Sequence, residues 1–418
     1  MQMNRRFFLH KGALAVAGTS ALPNFLVRSV LAETATMPGR RLVVIFQRGA
    51  ADGLNVVVPY REKNYYAMRP TIAVPQNQVL DLDGFFGLHP SLSPFKPLYD
   101  AGQLAIVHAA GSPDMSRSHF DAQDYMESGT PGNKSTSDGW LNRALQTEDG
   151  CDCKRHNQEH TAFRALALGA EVPLTLAGKI PAIALNNVNG FTIAGRGPTL
   201  SPAASAFEAM YASSGDRIFH AAGDETFEAV KMLRAADPAQ YAPARGANYP
   251  NSEFGNSMRQ IAQLLKANLG VEAAFTDVTG WDTHHAQGGV NGQLANRLAD
   301  FSASIAAFWR DMGDEAGNIT LVTMSEFGRT ARENGTGGTD HGHANAMFVL
   351  GGEVKGGKVY GRWPGLADEQ LNQGRDLALT TDFRAVLGEV VTHTLGAENL
   401  ELVFPGAGLK RDGFLRLT

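Results

Sequence analysis

Five short stretches of this sequence combine acidic, imidazole, hydroxyl and guanidinium side chains at spacings that suit metal and ester chemistry. Two are dense. Asp277-Val278-Thr279-Gly280-Trp281-Asp282-Thr283-His284-His285 sets a carboxylate beside two imidazoles, and Thr339-Asp340-His341-Gly342-His343 repeats the pattern within five residues. Oxygen and imidazole nitrogen donors in such company suit zinc or a similar divalent ion. Asp282, His284, His285, Asp340, His341 and His343 are therefore candidate ligands. Arg48 to Asn55 adds Asp52 between small residues, where a carboxylate can reach a cation and glycines let backbone approach it; a turn Asp before Gly53 explains the same residue equally well. Ser325-Glu326-Phe327-Gly328-Arg329-Thr330 offers Glu326 as a ligand and Arg329 as a bidentate clamp for an anionic oxygen, or else a strand-end ion pair. Ser116-Arg117-Ser118-His119-Phe120-Asp121 offers a serine nucleophile at a helix start, where backbone N–H groups favour anions; Ser118 is preferred to Ser116, although helix capping also explains both.

These stretches need a frame that brings them to one place. Apolar runs at Arg41 to Gln47, Leu104 to His108, Val271 to Val278, Ile319 to Met324 and Ala346 to Leu350 read as buried strands. Amphipathic stretches at Ser201 to Ala212, Asp224 to Ala235, Ser252 to Asn268, Gly292 to Met312 and Asp382 to Thr394 read as helices. The alternation predicts an α/β three-layer sandwich around a mainly parallel sheet, in which ligand sites form beyond the carboxyl ends of the strands. The polar segment 129–161 is expected to be a loop excursion over the site. No linker divides the rest, so residues 33–418 are expected to be one domain.

Residues 1–32 read as a cleavable leader. Asn4-Arg5-Arg6-Phe7-Phe8-Leu9 carries the arginine pair of twin-arginine export, a mildly apolar run follows, and Val30-Leu31-Ala32 gives a small-residue exit. The run is interrupted by Gly18 and Pro23 and is too short to span a bilayer. The expected partner during export is the twin-arginine translocase, with a periplasmic or secreted destination and no stable membrane span after cleavage. Removing the leader takes away four positive charges and no acid, so the formal charge falls from −5 to −9. An acidic chain without a dense Lys/Arg stretch argues against nucleic acid as a partner. Cys151 and Cys153 are too close for an unstrained disulfide and read as a loop feature. A Gly-x-Ser-x-Gly elbow and a Gly-Lys-Ser/Thr phosphate loop are both missing from the sequence.

Taken together, Arg-Gly-Ala-Ala-Asp-Gly-Leu, Ser-His-Phe-Asp-Ala-Gln, Gly-Trp-Asp-Thr-His, Ser-Glu-Phe-Gly-Arg-Thr and Thr-Asp-His-Gly-His resemble a bacterial family of twin-arginine-exported proteins known only as a domain of unknown function. That family in turn resembles a distant branch of the alkaline phosphatase and sulfatase superfamily. The resemblance implies an alkaline phosphatase-like fold and a metal-dependent hydrolase of phosphate or sulfate esters, acting on a small-molecule or polymer substrate. It implies a Ser nucleophile and one or two divalent ions, zinc first, with Ca, Mg or Mn as alternatives. Asp52 would be the first-strand ligand, Ser118 or Ser116 the nucleophile, and Asp282 with His284 or His285 one metal pair, completed by Asp340, His341 and His343. The sequence departs from the superfamily where Ser325-Glu326-Phe327 occupies a strand end that carries an Asp-His pair there: either Glu326 replaces the Asp and Phe327 the His, which weakens one metal site, or the pair has moved onto the glycine loop as Asp340-His341. The opposing expectation is a non-catalytic periplasmic binding or structural protein with a residual ion.

Overall fold

A computed structural model describes residues 39–147, 161–188, 232–233 and 240–409. The leader, Cys151-Asp152-Cys153 and the helices expected at Ser201 to Ala212 and at Asp224 to Ala235 lie outside the described residues, save for 232–233.

Twelve strands are found among the described residues: β1 (Arg41–Gln47), β2 (Val57–Val58), β3 (Leu80–Asp81), β4 (Gly87–Leu88), β5 (Leu104–Gly111), β6 (Ala165–Leu168), β7 (Ile183–Leu185), β8 (Ala273–Val278), β9 (Ile319–Met324), β10 (Asn345–Gly351), β11 (Lys358–Tyr360) and β12 (Thr381–Asp382). Nine of them make the central sheet, in the order β11-β5-β10-β9-β1-β8-β6-β7 with β12 also beside β5; β2, β4 and β3 make a small antiparallel sheet. β1 lies between β8 and β9, parallel to both, with Val44 opposite Phe275 on one side and Val322 on the other. All seven β1 residues are buried, as expected of a strand covered on both faces.

The two faces are filled by alternate residues of the same strands. Val43, Ile45, Ile106, Leu321 and Phe348 pack under the Glu253–Lys266 and Gln293–Met312 helices. Leu42, Val44, Phe46, Val107, Val322 and Val349 pack under the Phe383–Leu395 and Trp140–Gln146 helices. Period-two strands between helical layers give the three-layer sandwich that the sequence predicts. The three expected helices that lie within the described residues begin and end within two residues of the observed ones, two of them capped by Ser252 on Gly255 and by Asp382 on Arg384.

Two features depart from the expectation. The 129–161 segment is not wholly an excursion: Trp140, Leu141, Ala144 and Leu145 repeat at helical spacing and are buried in the core. A polar average hid a short apolar stripe there. The second departure concerns direction. β10 runs antiparallel to β9 and β5, whereas β11 and β12 run parallel to β5. The amino end of β10 therefore lies at the edge where β1, β5, β8 and β9 have their carboxyl ends. The loop that enters β10 is Thr339 to Ala344, so antiparallel pairing delivers Asp340 and His341 to the edge where the other stretches end.

Candidate metal centre

At that edge three imidazoles and a carboxylate converge. His119 begins the His119–Ser128 helix after β5, Asp282 and His284 follow β8, and His341 precedes β10. His341 Nε2 lies 2.9 Å from His119 Nε2, 3.0 Å from His284 Nε2 and 3.3 Å from Asp282 Oδ1. Asp282 Oδ1 is also 3.0 Å from His284 Nε2, and Oδ2 is 3.5 Å from His119 Nε2. One donor atom each from His119, Asp282 and His341 falls within 4.8 Å of the others.

The opposite nitrogen of each ring decides what these contacts mean. His119 Nδ1 donates to Glu326 Oε1 at 2.7 Å, His284 Nδ1 to Asp340 Oδ1 at 3.0 Å, and His341 Nδ1 to the Arg117 carbonyl at 2.9 Å. A carbonyl or an ionised carboxylate only accepts, so each partner places the proton on Nδ1 and leaves Nε2 as a bare lone pair in the neutral ring. Three such lone pairs and a carboxylate lie close together and repel one another unless a proton or a metal cation is shared between them. Imidazoles whose outer N–H is held by a carboxylate or carbonyl are the usual arrangement of metal-binding histidine. The donor set of His119, Asp282 and His341 therefore fits a divalent ion with two His nitrogens and one Asp oxygen, with His284 Nε2 3.0 Å from both His341 Nε2 and Asp282 Oδ1 beside them. Asp282 is 42% exposed along its side chain, against 0% for both Glu326 and Arg329 behind the cluster, so the face away from the core opens to solvent.

The surrounding groups keep the carboxylates of this arrangement ionised. Burial pushes the Glu326 carboxyl up, but hydrogen bonds from His119, Gln123 and the Gly49 amide outweigh it and keep the group below its ordinary value. Asp282 is likewise lowered, because Arg329, His284 and His119 outweigh its partial burial. For Asp340, hydrogen bonds from Asn334 and His284 do the same. The Glu326 hydrogen bond raises His119, while burial lowers His341. Local backbone makes room for all this. Gly49 has φ +112°, and a Cβ there would sit 2.8 Å from the Asp282 amide nitrogen, so the loop after β1 can approach the Asp282 loop only as glycine.

The residues expected from sequence are distributed as follows. Asp282, His284 and His341 meet in the cluster. Asp340 and Glu326 stand behind it, each on a histidine Nδ1. Arg329 is buried and spends its donors on Asp282 Oδ1 at 2.6 Å and on the Thr339 hydroxyl and carbonyl, so it fixes a ligand instead of facing an ester. Asp52 is not in the cluster: Arg69 holds it with two hydrogen bonds of 2.6 and 2.9 Å, and Gln287 adds a third at 2.6 Å. The remaining Arg69 donors go to Asn55, Ala331 and Thr330, so the pair is buried and fully bonded. His285 is exposed, away from the converging nitrogens. His343 is buried, and the charges nearest it are Asp376, Arg117 and Asp114. Ser118 caps its helix, accepting from the Asp121 amide at 3.5 Å; Ser116 accepts from the Ser118 amide at 3.2 Å.

The sequence marks His119 only as a neighbour of Ser118 and gives no sign of Arg69, Gln123 or Gln287. The signal for the first lay in the i, i+4 spacing of His119 and Gln123 on one helix, which brings both side chains to Glu326. No local signal links Asp52 to Arg69.

A model of one protein family matches residues 39–397. The chain belongs to that family, described as "Protein of unknown function (DUF1501)". No curated protein matches it. Among solved structures, the chain is similar to a substituted form of alkaline phosphatase PafA, at 11% identity and TM-score 0.33, covering 71% of this chain and 64% of that one. A protein in the alkaline phosphatase superfamily from Vibrio parahaemolyticus gives 8% and 0.31, covering 76% and 61%. The PsFucS1 sulfatase from Pseudoalteromonas sp. gives 13% and 0.32, covering 81% and 68%. The chain thus spans less than two thirds of the length of the first two. Among the described residues, no helix is long and apolar enough to cross a membrane.

Proposed function

We propose that this chain is an exported, metal-dependent hydrolase of phosphate or sulfate esters built around one divalent ion, zinc by its donor set. The observation that carries the reading is the convergence of His119 and His341 Nε2 on Asp282, with His284 Nε2 beside them and each ring held from behind by an acceptor. His119, Asp282, His284 and His341 would hold the ion. Glu326, Asp340 and the Arg117 carbonyl would orient the rings, and Arg329 would orient Asp282. When bound, the ion would supply Lewis-acid stabilisation of charge on a non-bridging ester oxygen. Arg69 already neutralises Asp52, so a second ion on that carboxylate would face a competing built-in cation; this favours one ion over two.

Ser118, at the helix start beside His119, is the proposed nucleophile, with Ser116 two residues before it. A single observation favours the opposing reading of a non-catalytic ion-binding protein: the contacts of both hydroxyls are with backbone amides, and among the described residues no base stands on either. The test is elemental analysis of the purified protein followed by a panel of phosphate mono- and diesters and sulfate esters, on the parent and on Ser118→Ala. A hydrolase gives turnover that Ser118→Ala removes while retaining its metal. Retained metal with no turnover on any ester supports the binding protein, and a parent that takes up no metal sinks both.

A further inference from the structure

A cleft of about 790 Å³ opens at the same sheet edge, beside the carboxyl ends of β6 and β8 and the starts of the Glu253–Lys266 and Gln293–Met312 helices. Its volume is that of a small-molecule site, roughly 300–1,000 Å³. Thr279 on its wall is three residues before Asp282, which bounds their Cα separation at about 11 Å. Asp277, also on the wall, is joined to the metal centre by a continuous chain: Arg48 donates to Asp277 at 2.5 Å and to Gln123 at 3.0 Å, and Gln123 donates to Glu326 at 2.9 Å.

The lining is polar, with hydroxyl, amide, carboxylate and guanidinium groups mixed. Arg297 stands out. It forms no ion pair among the described residues, its one hydrogen bond is a long 3.4 Å contact to the Thr279 carbonyl, and its Nε–H is buried without a partner. Its plane lies against Gly280, where any Cβ would collide with the guanidinium at 2.2 Å. Arg259, also on the wall, has only a 3.5 Å contact with Asn256. Two underused guanidinium forks suit a planar or tetrahedral anion. Around them, Asn256, Ser257 and Asp300 alternate donors and acceptors as ring hydroxyls require. The wall's one aromatic side chain, Phe254, is 4% exposed and offers no face for a nucleobase.

We propose that this cleft binds an anionic carbohydrate, with Arg297 on its carboxylate or ester group and the neighbouring amides and hydroxyls on its ring hydroxyls. The inference deepens the hydrolase reading and rests on it for the chemistry at the metal end, because the cleft would present the sugar part of the ester to the ion. The test reads binding, not turnover: an array of neutral, carboxylated and sulfated oligosaccharides is probed with the full chain, and ligands are confirmed by calorimetry. Charged sugars are expected to bind and neutral ones to bind more weakly. Arg297→Gln should weaken charged sugars about tenfold or more, the cost of one hydrogen bond to a charged group, while leaving neutral sugars nearly unchanged. Ser257→Trp, which fills the cleft from an accessible helix position, should abolish both, with the melting temperature of each variant checking its fold. Binding of no sugar class, or charged-sugar binding indifferent to both substitutions, overturns the inference. An active esterase that binds no sugar would overturn it and leave hydrolysis standing. Arg297-dependent sugar binding without turnover on any ester would do the reverse.

Discussion

Replacing Glu326 by Gln tests the logic of the proposed metal centre most directly, since it changes charge at almost constant shape one step behind the proposed ligands. Glu326 Oε1 accepts from His119 Nδ1 at 2.7 Å, from the Gly49 amide at 2.8 Å and from Gln123 at 2.9 Å, and Oε2 accepts from Ser325 at 3.1 Å. The carboxylate is buried, so its charge is little screened, and its hydrogen bond both orients the His119 ring and makes Nε2 a stronger donor. A hydrogen bond to a charged group contributes about 1.5–3 kcal/mol, and each 1.36 kcal/mol is tenfold in a binding constant. Glu326→Gln is therefore expected to raise the zinc Kd about 10- to 100-fold, the range found for carboxylates behind metal-bound histidines. Competition with a chromophoric chelator at neutral pH measures it, with circular dichroism confirming the fold. Gln123→Ala removes one donor from the same oxygen and one acceptor from Arg48 while leaving the carboxylate on His119, and should change the Kd by less than Glu326→Gln does. If Glu326→Gln bound zinc within twofold of the parent while His341→Ala lost it, Glu326 would not be acting through His119, and the reasoning would fail.

Chelation should lower the melting temperature reversibly, because an ion present at 100 times its Kd stabilises the folded state by about 2.7 kcal/mol; a melting curve indifferent to chelator would argue against a folded-state site. Arg69→Met leaves Asp52 buried beside Gln287 without its countercharge, and removing one partner of a buried pair costs about 3–5 kcal/mol, read as a lower denaturant midpoint. His108 gives a pH prediction away from the metal. It is buried, its Nε2–H donates to the Val57 carbonyl and its Nδ1 accepts from Ala109, and burial pushes its pKa down from 6.5 to about 4. The unfolded chain takes the proton first, so its contribution is complete above pH 6.5 and declines as pH falls from 6.5 towards 4, by about 1.36 kcal/mol per unit. His108→Gln should flatten the stability profile across that window, as measured by denaturant titration at several pH values.

Much of this arrangement follows from local sequence. Arg41–Gln47 and Ile319–Met324 are strands because unbroken apolar runs can be buried on both faces, and the Glu253–Lys266 and Gln293–Met312 helices follow from their apolar spacing and from signals such as Ser252 at a cap. The chemistry of Asp282, His284 and His341 is likewise legible, since carboxylate and imidazole at close spacing carry their affinity for cations in any context. Local sequence does not fix direction or partnership. That β10 runs against its neighbours depends on pairing with β5 and β9, whose Ala105 and Leu321 lie 244 and 29 residues before their partners Val349 and Leu350; without that reversal, His341 would enter from the opposite edge. Asp52 and Glu326 look alike as carboxylates beyond strand ends. One became the partner of Arg69 and the other of His119, because a charge taken out of water settles on whichever countercharge or donor folding brings nearest, and chain spacing does not record which that will be.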